Sequence, residues 1–164
     1  MYRHLLIAVD GSDCSTFAAK QGAALANFLQ ARVTFITVSS TWQAIGLSEL
    51  ALGHLEDEYT ARAEAYAKEC LSKVEAFAVE AGLVFDDVHL FSARPHEAIL
   101  TTAEQHRCDL IVVGSHGRRG LERLMLGSEA SKVVALSTIS VLIVRESFEL
   151  QGVGISEAPE HALN

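Results

Sequence analysis

Gly114-Ser115-His116-Gly117-Arg118 and Gly127-Ser128-Glu129-Ala130 are the two stretches of this chain whose residue types and spacing could do chemistry. Glycines at 114, 117 and 127 are free to take positive φ and carry no Cβ, so a ligand can come close to the backbone. Gly127-Ser128 opens a helical pattern. That puts unpaired amides, a hydroxyl and the positive end of a helix dipole at one place, and phosphate is its natural occupant. Taken singly, Gly114 reads as a strand-end turn and Ser128 as an ordinary N-cap. Taken together, the set reads as an anion cradle. Asp10, followed by Gly11-Ser12 at the end of an apolar run, is a positioning carboxylate more than a general base. Glu129 suits the dipole of its helix but competes with a phosphate there. Arg118, Arg119 and Arg123 lie between the glycines, where they offset that charge or simply form a solvated loop.

Other chemistries fit less well. There is no GxxxxGK[ST] loop and no GxGxxG after the first apolar run. Asp10-Gly11-Ser12-Asp13-Cys14-Ser15 faintly echoes the SGGxDS loop of ATP pyrophosphatases but lacks the paired glycines. His116 stands inside the glycine loop as a phosphate contact or an exposed spacer. His89, His96 and His106 have no ligand-like spacing, and no Ser/His/Asp or Cys/His set is placed for nucleophilic catalysis. Cys14, Cys70 and Cys108 form neither a disulfide framework nor a zinc site. Cys14 falls in a first helical turn, where a dipole activates thiols, although packing is the commoner role.

The elements that must position these residues follow from hydrophobic period. Leu5–Val9, Val33–Val38, Val84–Phe91, Leu110–Val113 and Ile139–Val144 read as five strands. The first, fourth and fifth are continuous apolar runs, as in a parallel sheet covered on both faces. The third carries Asp86 and Asp87 and reads as a less buried edge. One helix begins at Ser12-Asp13, with Phe17, Ala24, Leu25 and Phe28 as its apolar repeat. A long second helix has Tyr59, Ala63, Tyr66, Cys70, Val74, Phe77 and Ala81 on one face. Glu64–Lys68 and Glu69–Lys73 pairs lie on its other side, and Gly82 stops it. A third runs from Pro95 to about His106, and a fourth starts at Gly127-Ser128 with Ala130, Val133 and Val134 inward. Strand–helix alternation of this kind predicts a doubly wound α/β sheet with right-handed crossovers. In such sheets the ligand lies beyond the strand carboxyl ends, where strand order reverses.

The 164 residues fit one domain, with 49% hydrophobic and 21% charged residues in the globular range. A net charge of −8 argues against a nucleic-acid partner, which needs a basic surface. It does not exclude a small anion, because a nest of backbone amides overrides the global field locally. No run reaches the roughly 18 apolar residues that span a bilayer, and the short apolar start does not fit a secretory signal. A cytoplasmic location is the expectation. Residues 1–146 show no composition break, whereas 147–164 have weak periodicity and are expected to be a loosely ordered tail.

Gly114-x-x-Gly117, nine residues, then Gly127-Ser128 resembles the G-2x-G-9x-G-(S/T) pattern of nucleotide-binding universal stress proteins. Val9-Asp10-Gly11-Ser12 and Leu110-Ile111-Val112-Val113-Gly114 are similar to that family too, and the likeness spans residues 2 to about 145. The resemblance implies a Rossmann-like fold of the adenine nucleotide alpha hydrolase kind, five parallel strands ordered 3-2-1-4-5, with ATP at the switch point between strands one and four. It implies backbone contacts to adenine at Ala8 and Val38, and Asp10 near the adenosine. Gly114, Ser115, His116, Gly117 and Arg118 would line ribose and phosphates. Gly127 and Ser128, with the amides of Glu129 and Ala130, would hold the outer phosphates. Mg²⁺ would bridge phosphate oxygens. The family also implies a homodimer through the last strand and a regulatory stress-response role exercised with a protein partner the sequence does not name. A slow ATPase, or an interaction module with a vestigial loop, are the alternatives. Ser140 departs from the family in standing where many members have a proline before the last strand.

Overall fold

Side chains of β1 (His4–Ala8) alternate between two separate cores, and that alternation explains the architecture. Leu5 and Ile7 enter one core and Leu6 the other, so the strand is apolar at consecutive positions. The computed structural model describes residues 1–42, 53–117 and 126–145. After β1 come α1 (Asp13–Leu29), β2 (Arg32–Ser39), α2 (Gly53–Glu80), β3 (Phe85–Phe91), α3 (Pro95–Gln105), β4 (Leu110–Gly114), α4 (Ser128–Leu136) and β5 (Ser140–Val144). All four pairings are parallel and the order is β3-β2-β1-β4-β5, as expected. Helices α1 and α2 cover one face, around Val33, Phe35, Cys70, Val74 and Val112. Helices α3 and α4 cover the other, around Leu6, Ile36, Ile99, Ile111 and Val133. Burying side chains of this size contributes roughly 1.5–3 kcal/mol each before the entropy of ordering is counted. Strand β3 is indeed a half-exposed edge. Residues 146–164, which include the tail, lie outside the described residues.

Three helix faces differ from the sequence expectation. In α1 the buried face is Ala18, Ala19, Gly22, Ala23 and Ala26, while Ala24 is exposed and Phe28 is 81% exposed. Small residues win because the helix lies close to the sheet: a Cβ on Gly22 would sit 2.6 Å from Ile7 Cδ1. In α2 the buried stripe is Ala67, Cys70, Leu71, Val74 and Ala78, which leaves Tyr66 at the rim. Glu69–Lys73 closes at 2.7 Å. The expected Glu64–Lys68 pair is not formed, whereas Glu58 and Arg62, nearer the start of α2, do pair. In α4, Ala130 and Val133 face inward but Val134 is exposed, since a nine-residue helix presents only one narrow stripe to the sheet.

Helix and strand ends have local causes. Ser12 caps α1, accepting from the Ser15 amide at 3.1 Å. Gly82 ends the chain's path out of α2 with φ +65°. At the entry to β5, Ser137 Oγ donates to the Ile139 carbonyl at 2.7 Å and accepts the Ile139 amide at 3.1 Å.

Candidate functional site

Strands β1 and β4 pair from Leu5–Leu110 to Ile7–Val112 and then part, since β1 continues toward β2 by way of α1 and β4 toward β5 by way of α4. The opening above them is the switch point. Two loops meet there: Asp10-Gly11-Ser12 from β1, and Gly114 to Gly117 from β4.

Asp10 is held in place from its own loop. Its Oδ1 accepts from the Ser12 amide at 3.0 Å and the Ser12 hydroxyl at 2.6 Å. The other carboxylate oxygen faces Gly117, where an added Cβ would lie 2.6 Å from Oδ2. Gly11, which sequence reading did not single out for its backbone, sits at φ +81°, and a Cβ on it would run into Tyr66 and Cys70. Tyr66 in turn donates to the Asp10 carbonyl at 3.1 Å, and Tyr59, two turns earlier on α2, donates to the Ser40 carbonyl at 2.7 Å. Two tyrosines seven residues apart thus tie α2 to the ends of β1 and β2. The i, i+7 spacing carries that signal in the sequence, but apolar periodicity reads it as core.

The glycine loop is closed on itself. The Ser115 amide bonds the Val144 carbonyl at 2.8 Å, and the Gly127 amide bonds the Ser115 carbonyl at 2.8 Å. The start of α4 is therefore pinned to the end of β4. None of Gly114, Gly117 and Gly127 takes positive φ, contrary to expectation; Gly11 and Gly82 are the described glycines that do. Their small size serves packing instead. A Cβ on Gly114 would lie 3.2 Å from Cys14 backbone atoms, and one on Gly127 would lie 3.3 Å from the Ser115 carbonyl oxygen. Ser115 is buried, with its hydroxyl 2.8 Å from His116 Nδ1. The Cys14 thiol is turned toward Ser115 Oγ and the Val144 carbonyl, which is packing rather than presentation. Arg118, Arg119 and Arg123 lie outside the described residues.

Helix α4 begins with Gly127 as N-cap and no side-chain cap, and Ser128 is exposed at its first position. Its first amides have no partner within the helix. Glu129 is not turned back over them, which corrects the expectation that it competes for a phosphate. Its Oε2 accepts from the His96 amide at 3.1 Å and lies 2.8 Å from His96 Nδ1, while Oε1 accepts from Lys132 at 3.0 Å. Burial pushes the Glu129 carboxyl up, but the hydrogen bonds from Lys132 and His96 outweigh it and hold the group below the usual carboxylate range. His96 has no signal in sequence spacing because its partner is 33 residues away. Ala8 and Val38, at the ends of β1 and β2, both pack on the α3–α4 side of the sheet, beside the opening. A groove of about 350 Å³ between α2 and β3, lined by Glu64, Glu75, Asp87 and His89, lies at the sheet edge instead.

A parallel β3-β2-β1-β4-β5 sheet with helices on both faces and a carboxylate and a glycine-closed helix N-terminus at its switch point defines a class, the Rossmann-like doubly wound α/β domains. Within that class the family can be stated. Residues 1–145 match the model of the universal stress protein family, and the chain belongs to that family. It is 34% identical to the universal stress protein YxiE of Bacillus subtilis, over 88% of this chain and all of that one. The solved universal stress protein UspA of Lactobacillus plantarum is similar with a TM-score of 0.78 and 26% identity, over 88% of this chain and 98% of its own. A universal stress protein solved in complex with cAMP is similar with a TM-score of 0.66 and 25% identity, over 89% and 99%. Among the described residues no helix is long and apolar enough to cross a membrane.

Proposed function

We propose that this protein binds an adenine nucleotide, ATP first among them, across the β1/β4 switch point, and acts as a regulatory stress-response protein through its nucleotide-bound state and a homodimer. One observation carries the reading: the Asp10 carboxylate faces Gly117, while the uncapped start of α4 is anchored to the same loop at Ser115. That geometry gives a nucleoside a carboxylate at one end and a phosphate a set of amides at the other. The family member solved with cAMP supports an adenine nucleotide as the ligand class.

In this reading the backbone of Ala8 and Val38 meets the adenine and Asp10 the adenosine. Gly114, Ser115, His116, Gly117 and Arg118 line the ribose and inner phosphates. Gly127, Ser128 and the amides of Glu129 and Ala130 hold the outer ones. The described residues assemble no group of three or more His, Cys, Asp or Glu side chains around a metal position. In this reading Mg²⁺ is carried by the phosphate oxygens, the usual way that ion accompanies nucleotides. Asp10, engaged by Ser12, suits a positioning role, so ATP turnover is expected well below the roughly 1–10³ s⁻¹ of ordinary enzymes.

The test is a nucleotide extract of freshly purified protein run against standards, followed by calorimetric titration. Tighter binding of ATP than GTP is expected, because the base is read by backbone groups around Val38. Equal affinities would show that the base is not read, and no binding of either would overturn the reading.

A further inference from the structure

Two helix N-termini stand side by side in this fold, and one carboxylate serves only one of them. Helix α3 starts after Arg94, which makes no side-chain cap, and its first residue is Pro95. The amide of His96 is therefore among the first that α3 leaves without a helical acceptor. Glu129 supplies that acceptor from α4, and the His96 ring supplies a second bond to the same oxygen. His96 is 7% exposed and lies in the wall between α3 and α4, while the Glu129 side chain, 39% exposed, reaches it from the rim. Yet Glu129 is the second residue of α4, where its charge would otherwise settle toward the amides of its own first turn.

We infer that His96 is a positioning residue for the nucleotide site: it draws the Glu129 carboxylate to the start of α3 and so keeps the start of α4 open to an anionic phosphate. This rests on the nucleotide reading above and adds to it the device by which an acidic residue beside Ser128 is made compatible with a phosphate. Lys132, one turn further along α4, holds the remaining oxygen but cannot replace the pull toward α3, because it lies on the same helix.

The consequence is a selective one. Loss of the His96 ring removes one of the two bonds from α3 to Glu129 Oε2, leaves only the backbone amide at position 96, and so loosens the carboxylate toward its own helix; the added repulsion acts on phosphates and not on the nucleoside. His96→Ala should weaken ATP about tenfold while leaving adenosine affinity unchanged. His96→Ala combined with Glu129→Gln should restore ATP, since the neutral amide repels nothing. Calorimetry of the wild type and these variants with ATP and with adenosine reads both ratios. His96→Asn and His96→Gln guard against a variant that fails to fold. Asn carries its amide nitrogen where Nδ1 stands and should bind ATP as the wild type does, whereas Gln places its nitrogen at the Nε2 position and should behave as Ala. An unchanged ATP-to-adenosine ratio in His96→Ala or His96→Gln would overturn the inference. So would a parallel loss of both ligands, which marks a merely structural role, or a failure of Glu129→Gln to restore ATP. A wild type that binds neither ligand would instead remove the nucleotide reading on which this stands.

Discussion

At the scale of single residues, the site depends on how closely two loops approach. Gly117 is glycine because the Asp10 carboxylate occupies the space a Cβ would take, 2.6 Å away. A branched side chain there displaces Asp10 from its bonds to Ser12 and fills the ground between the loops. Gly117→Val should therefore lose ATP binding in calorimetry while its far-UV dichroism stays native; normal affinity would put the phosphates elsewhere. Cys108 shows a different residue-scale effect. Burial, with a smaller contribution from Asp109, pushes its thiol up to about 12 from an ordinary value of 9.0. The folded state keeps this proton at pH values where the unfolded chain has lost it, so the folded state binds more protons between those values. The stability from this site is whole below about pH 9 and declines as pH rises toward 12. Cys108→Ala should accordingly lose less of its urea midpoint between neutral and alkaline pH than the wild type does. Equal losses in the two proteins would refute that linkage.

At the scale of elements, α1 is the piece whose position most affects the site, since its first turn carries Ser12 and Cys14 and its body lies on β1 and β4. It can lie that close because its inner face is alanine and glycine. Gly22 meets Ile7, itself fully buried, so the isoleucine has nowhere to retreat. Gly22→Val should cost about 1–3 kcal/mol in denaturant unfolding, as overpacking of a dense core does. A neutral or stabilising result would mean the helix can slide outward without loss. The Tyr59 and Tyr66 hydroxyls act at the same scale, fixing α2 to the ends of two strands.

At the scale of the whole molecule, the sheet has two edges with different chemistry. Strand β3 places Asp86 and Asp87 exposed on its edge, and charge of that kind deters pairing. Strand β5 has none within it, and Leu142 is 36% exposed. The Val144 carbonyl points to β4, where it accepts the Ser115 amide, so alternation along the strand turns the Val141 and Ile143 peptide groups to the free edge. A second copy pairing there would satisfy both edges about a two-fold axis. Light scattering should then give a dimer for the full chain at micromolar concentration, and Val141→Pro should shift it toward monomer by removing an outward donor. A full chain that is monomeric and a version ending at Glu146 that associates would show that the tail covers the edge instead.

Much of this was written along the chain. Apolar runs bounded by Gly and Ser specify parallel strands buried on both faces, and their alternation with helices specifies the winding. The motif spacing from Gly114 to Ser128 marks which strand ends meet at the switch point. What one dimension could not decide is which neighbour each small or charged group meets. Apolar period pointed to Phe28 and Val134 as core, but close approach of α1 and the narrow footprint of α4 left both exposed. The glycines of the loop looked like points of positive φ, and tertiary contact made them points of contact with Cys14, Asp10 and Ser115. Glu129 looked like a competitor for phosphate, because only its own helix is adjacent in sequence. Its partner His96 lies on another helix, and a charge takes the nearest donors in space.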